Sequence, residues 1–341
     1  MRTISVPPLD IGRPLTGGRS RSARRGSALL AVMWLVAGLG VIAFAVANTV
    51  RGETERTSTV LDGTREYYLA TGAIERAVLY LQWGPQFSNP DGKSKFYYGG
   101  MPVLRMPFPT GEVEVEVIPE ASKLNINQAP PERLLALLAA LGAPPDQAMM
   151  ASQAIVDWRS PSGPETVSPF DAFYLNQAPS FRARHASLEQ VDELLMVQGM
   201  TPDLYYGTYG RDAEGRMIPR GALRDCVSVF GSVNQFDANT AQPAVLLSAG
   251  VPPGVVADIV VRRRMAPFTS PQELAAYGEG ARFLRLGGNS IFTLRATARL
   301  RLQDGTLSDM RRSVAALVKL MPPGYDSTYH ILRWYDNAFR M

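Results

Sequence analysis

An uncharged, mostly apolar run covers residues 26–50, from Gly26-Ser27-Ala28-Leu29-Leu30 to Val50, directly after Arg24-Arg25. At about 1.5 Å of rise per residue, a helix over 27–50 is long enough to cross a hydrocarbon core of about 30 Å. The pattern therefore predicts a membrane span. Beyond Val50 it turns amphipathic without a strong stop signal. Val60, Thr64, Tyr67, Thr71, Ile74, Val78 and Leu81 recur every three or four residues, while Arg51, Glu53, Glu55, Arg56, Arg65, Glu66 and Arg76 fall largely elsewhere. The span is expected to continue as a stem helix over 51–83. Gly52, Gly63 and Gly72 each cost it roughly 1 kcal/mol against Ala, and Trp83-Gly84-Pro85 stops it.

Residues 84–102 are rich in Pro, Gly, Asn and Ser and read as a loop. Glu112-Val113-Glu114-Val115-Glu116-Val117 then alternates strictly, as a strand does with one face buried and one solvated. Near the far end, 291–300 and 312–320 flank Gln303-Asp304-Gly305-Thr306, a hairpin turn signal. Three strands and a long helix define an α+β unit over 84–120 and 286–341. Residues 121–285 interrupt it as an all-α insertion.

The insertion repeats itself. Leu124-Asn125-Ile126-Asn127-Gln128-Ala129, an apolar run to Leu138 and the Leu141-Gly142-Ala143 turn lead into Gln153-Ala154-Ile155-Val156-Asp157-Trp158-Arg159. Phe236-Asp237-Ala238-Asn239-Thr240-Ala241, Val245-Leu246-Leu247, Ala249-Gly250-Val251 and Ala257-Asp258-Ile259-Val260-Val261-Arg262 follow the same plan. Each copy is helix, short glycine turn, helix. Asn127 and Asn239 sit where a side-chain oxygen can cap the following helix, with Pro131 and Pro243 near its first turn. Each copy adds a later apolar segment, 188–197 or 271–277. Together they resemble two helix-hairpin-helix units of a SAM-like fold. Residues 160–186 and 202–225 show no clear period and are expected to be surface loops. The tail from Met321 is too aromatic to be disordered.

Charge decides how the apolar run is used. Residues 1–25 carry Arg2, Arg13, Arg19, Arg21, Arg24 and Arg25 against Asp10 alone, which keeps the N-terminus cytoplasmic and the remainder outside. The run is too long for the apolar region of a secretory signal, and its small residue, Gly26, precedes it. Arg-Arg-Gly followed at once by an apolar helix resembles the class III signal of pilins and pseudopilins, cut after the glycine by a prepilin peptidase. The alternative is an uncleaved single-pass anchor. Removing 1–26 takes six of the 35 basic residues and one of the 31 acids, leaving 29 against 30, a net −1. The pI of about 9.2 thus belongs to the leader, and the remainder gives no global attraction for nucleic acid.

Chemistry is sparse. His185 and His330, the only histidines, stand in no metal-binding spacing, and His185 is expected to be solvated. No phosphate-binding glycine loop or nucleophile elbow is present, so an enzyme is not expected. Cys226, the single cysteine, precludes an intrachain disulfide and is expected to be a buried small hydrophobe. Asp212 and Glu214, in Asp212-Ala213-Glu214-Gly215, are the calcium candidates, although this loop lacks the acid spacing of an EF-hand. DNA binding through the hairpin repeats is the rival reading, with Arg262-Arg263-Arg264 as its cations. Against it, the turns continue into Pro144-Pro145 and Pro252-Pro253, and proline has no N–H with which to hold a phosphate.

The prepilin-like site, the stretch Glu120-Ala121-Ser122-Lys123-Leu124-Asn125-Ile126-Asn127 after a strand, and the duplicated insertion before a closing hairpin resemble the minor pseudopilin K family of the type II (general) secretion pathway, over roughly residues 24–335. Shaft-forming pseudopilins carry glutamate at the fifth mature position. Ala31 stands there, as the K family implies. The resemblance implies a leader over 1–26 and processing between Gly26 and Ser27. It places the protein in the inner membrane of a Gram-negative bacterium, at the tip of the pseudopilus with its C-terminal domains periplasmic. The implied partners are minor pseudopilins I and J, the major pseudopilin, prepilin peptidase, the inner-membrane secretion platform and membrane lipid. Some members of the family bind calcium.

Overall fold

The computed structural model describes residues 23–84, 86–87, 95–97, 101–163, 167–211, 214–288, 290–322 and 324–338. In chain order, the helix α1 (Ala23–Trp83) leads to strands β1 (Val103–Phe108), β2 (Gly111–Pro119) and β3 (Leu124–Asn125). Next come α2 (Pro131–Ala140), α3 (Pro145–Arg159), α4 (Asp171–Leu175) and α5 (Pro202–Tyr206). A small hairpin of β4 (Thr208–Arg211) and β5 (Met217–Arg220) precedes α6 (Leu223–Cys226), β6 (Val227–Ser228) and β7 (Phe236–Asp237). The second helix pair is α7 (Pro243–Ala249) and α8 (Pro253–Met265), followed by α9 (Pro271–Ala275) and β8 (Leu284–Arg285). The chain closes with β9 (Ile291–Leu300), β10 (Arg312–Leu320) and β11 (Tyr329–Tyr335).

Two compact units divide the chain at residues 61 and 62. In the first, α1 is exposed at every residue from Ser27 to Leu61. In the second, five antiparallel strands run in the order β1-β2-β9-β10-β11. The sheet holds two strands more than the alternation signalled. Strand β1 alternates as well, with Leu104 and Met106 buried and Arg105 and Pro107 exposed, but it is short and its proline reads as a loop signal. Strand β11 is an edge strand with no buried residue, so burial imposed no alternation on it. The 291–300 and 312–320 hairpin pairs as expected, with Gly305 at φ 85° in its turn.

One face of the sheet covers the lower part of α1. Val113, Val115 and Val117 of β2 meet Leu294, Ala296 and Ala298 of β9 over Ala70, Ala73, Ile74, Ala77, Val78 and Leu81. Tyr67, Ile74, Val78 and Leu81 of the expected stem face pack there, and the face is corrected only at its upper end and at one acid. Val60 is 62% exposed and Thr64 is exposed, whereas Glu66 is buried. The period of 3.6 was legible. The buried face also takes in Ala70, Ala73 and Ala77, which let the helix approach the sheet closely and carry little hydrophobic signal of their own.

The inserted residues form a second core built from both helix pairs. Pro131 and Pro243 open α2 and α7 at the first turn, where a missing N–H costs nothing. Left-handed Gly142 and Gly250, at φ 87° and 98°, make the turns. Each copy closes with a two-residue parallel pairing, β3 with β6 and β7 with β8. The stretches 160–186 and 202–225 are only partly surface loop. Tyr174 and Tyr205 are fully buried, and β4 pairs with β5. Their turns and short helices are set by contacts distant in sequence, which leave no local period.

Candidate functional site

Three places carry polar or apolar surface that the fold alone does not use: the anchor, the repeated body and the cleft beside it. In the anchor, Gly26 and Ser27 lie in helical backbone, and Ala31 stands one turn further on. Trp34 is 77% exposed and Leu29 65%, a surface that water penalises by about 25 cal/mol per Å². Thr49, Thr54 and Thr59 turn their hydroxyls back on the carbonyls of Ala45, Val50 and Glu55 at 2.8–2.9 Å. The three hydroxyls are thereby satisfied within the helix itself.

In the body, Asn127 and Asn239 do not cap α2 and α7, whose N-caps are Pro130 and Gln242 without side-chain bonds. Each instead clamps the later segment of its own copy. Asn127 accepts from Leu188 N–H at 2.8 Å and donates to Leu188 O at 2.9 Å, and Asn239 does the same with Phe268 at 2.8 and 3.0 Å. The residues just after the clamp are capped by Glu193 in one copy and Glu273 in the other. Sequence reasoning placed the two asparagines correctly and their partners wrongly, because a clamp across 61 or 29 residues leaves no spacing to read.

Arginines lock the same segments. Arg159 donates to Ile126 O and Ala129 O, both at 2.5 Å, and Arg263 donates to Ala238 O at 3.0 Å and Ala241 O at 2.7 Å. Arg262 reaches Glu273 at 3.0 Å. Two of the three arginines proposed for DNA are thus engaged within the body, and only Arg264 faces outward free of such bonds. The prolines occupy the turns as expected, at the first position of α3 and α8.

His185 is not solvated. Its Nε2 lies 3.2 Å from both oxygens of fully buried Asp171, and its Nδ1 lies 3.3 Å from Asp157 O. Burial pushes Asp171 up, but the Ser168 N–H and the imidazole outweigh it and hold the carboxyl below its ordinary value. The group is a packing cluster that fastens the 168–185 segment. His330 is exposed on β11, and Cys226 is buried with burial pushing its thiol up. Asp212 lies outside the described residues. Glu214 is exposed and pairs with Arg216 at 3.2 Å, and among the described residues no three His, Cys, Asp or Glu converge as metal ligands do.

A polar cleft of about 1030 Å³ separates the outer face of the sheet from the body. Its walls carry Glu116 with Arg295, Asp192 with Arg333, and Lys123 with Glu120. Glu120, 3% exposed, was not singled out in the sequence. Burial opposes its charge, but Lys123 and hydrogen bonds from Lys123, Ser228 and Thr293 prevail and hold its carboxyl below the ordinary range.

Residues 115–207 match the family model described as type II secretion system protein K. A type II secretion system protein K from Klebsiella pneumoniae is 27% identical over 251 residues, covering 67% of this chain and 71% of that protein. A chain in the crystal structure of the GspK-GspI-GspJ complex from the enterotoxigenic Escherichia coli type 2 secretion system superposes with a TM-score of 0.52 at 15% identity, covering 83% of this chain and all of that one. An apolar helix long enough to cross a membrane, an antiparallel sheet on its stem and an inserted second body make up the architecture of the chain. Residues 115–207 are thus similar to type II secretion system protein K, and the chain as a whole shares its fold with a chain of that solved complex.

Proposed function

We propose that this protein is a minor pseudopilin at the tip of the type II secretion pseudopilus, where it initiates or caps assembly and so supports export across the outer membrane. The observation that carries the reading is the anchor itself. From Ser27 to Val50 no charge interrupts α1, and Ala31 occupies the place where shaft subunits carry a glutamate. A shaft glutamate neutralises a neighbour's terminal amine inside an apolar bundle, where an unpaired charge is costly. A subunit without one suits the end of the filament, where no further subunit must be answered. The insertion, two SAM-like repeats in this reading, adds bulk that a tip accommodates and a shaft does not.

The same reading cuts the chain between Gly26 and Ser27, with the arginine leader cytoplasmic and residues 51 onward periplasmic. It assigns minor pseudopilins I and J as partners, with the shaft pseudopilin, prepilin peptidase and the inner-membrane platform contributing to assembly. It assigns no catalysis to the chain. Mass spectrometry of the N-terminus, with and without prepilin peptidase, is expected to find Ser27 first only when the peptidase is present. An intact Met1 in both cells overturns the processing step. Co-purification of residues 51–341 with I and J tests the tip assignment, and failure of both to bind removes it.

A further inference from the structure

Glu120 occupies an unusual position for a carboxylate. It sits where the chain leaves β2 for the body, and groups from the sheet and from the crossing itself hold it. Thr293 Oγ1, on β9 of the sheet, donates to its Oε1 at 2.6 Å, and Lys123 Nζ reaches the same oxygen at 2.8 Å. Ser228, on β6 of the body, lines the cleft beside it. The two covalent crossings between sheet and body lie directly against each other there. A Cβ at Gly288 would fall 2.3 Å from Pro119 Cβ, so no side chain fits between them. Away from this point the cleft intervenes. The ion pair that spans it, Arg333 with Asp192, is 3.6 Å long with both side chains solvated, at 35% and 59% exposure, and such pairs contribute little.

From this arrangement we infer that Glu120 is the latch that sets the pose of the inserted body on the sheet, the paired crossings forming the hinge and the cleft the space through which the body swings. Latched, the carboxylate pins the crossing that leads into the body, at Glu120 and Lys123, to β9 of the sheet. Unlatched, the sheet and body cores each stay intact, because neither core includes Glu120. The pose is then left to the crossings and to weaker contacts such as the solvated Arg333–Asp192 pair. Any partner that grips both sheet and body reads an angle determined at this residue.

The test uses the full chain in detergent, with Cys226→Ala and spin labels on Gln303→Cys in the sheet hairpin and Asp258→Cys on α8, and measures the distribution of inter-label distances. The intact latch is expected to give one narrow distribution. Thr293→Val removes the bond from the sheet while leaving the Lys123 pair in place. It is expected to broaden the distribution and shift its mean without loss of helical circular dichroism. Glu120→Gln with Lys123→Gln, which leaves no unpaired buried charge, is expected to broaden it further. Thr297→Val, which breaks a hydroxyl bond to Ser313 inside the sheet, is the control and is expected to change nothing. A distribution unchanged in Thr293→Val overturns the latch, as does one that broadens equally in the Thr297 control.

Discussion

Glu66 faces the sheet from the stem helix at 1% exposure, with Oε1 left without a hydrogen-bond partner. Burial, and secondarily Asp62, push its pKa above the ordinary 4.5, against the Leu300 N–H and Arg312. A carboxyl raised on folding adds stability below its unfolded pKa, and that contribution is lost as pH rises through the folded value. Glu66→Gln is therefore expected to raise the melting temperature at pH 7, by the equivalent of about 1 kcal/mol. The advantage should shrink on acidification and vanish below about pH 4.5. Thermal melts at pH 4 and pH 7 check both the sign and its fading. The paired asparagines give a second comparison. Asn239 is buried and Asn127 only half-buried, so Asn239→Ala should cost about 2–3 kcal/mol and Asn127→Ala about 1. Urea unfolding of the two variants checks the order.

Among the elements, the stem shows most clearly what a sequence reveals and what it hides. The uncharged run, the amphipathic continuation, the stop at Trp83, the β2 alternation and the late hairpin all follow from local periodicity, and all are present. What stayed hidden depends on partners. The stem face read from Ile74, Val78 and Leu81 is completed by Ala70, Ala73 and Ala77, whose small size rather than hydrophobicity suits them to a closely approaching sheet. Strands β1 and β11 lie at the sheet edges, where a proline is tolerated in β1 and burial imposes no alternation on β11. The clamps, the His185 cluster and Glu120 join residues far apart in sequence. Ala73→Leu tests the close approach. A larger side chain at a fully buried site is expected to cost about 1–3 kcal/mol, seen as a lower urea midpoint. An unchanged midpoint would mean that the sheet does not sit this close.

In the molecule beyond residue 61, the stem and sheet bury one hydrophobic cluster and the duplicated helices another, with no buried residue common to both. Leu137→Ala, at a fully buried position in the second cluster, should destabilise that cluster by about 2–5 kcal/mol. Hydrogen exchange is expected to show amides of 131–159 losing protection while those of β9 and β10 keep theirs. Equal loss in both would make the two cores one cooperative unit. The duplication also creates a hazard, since a chain holding two copies of one plan can close a copy with the wrong return segment. Asn125 donates its amide to Val229 O and Gly231 O, at 3.4 and 3.3 Å. Asp237, its counterpart, accepts from Gly287 N–H at 2.8 Å. Crossed closure would set N–H against N–H in one copy and carboxylate against carbonyl in the other, at about 1–3 kcal/mol for each group left unmet. One atom of difference between the copies thus makes each return segment the better match for its own copy.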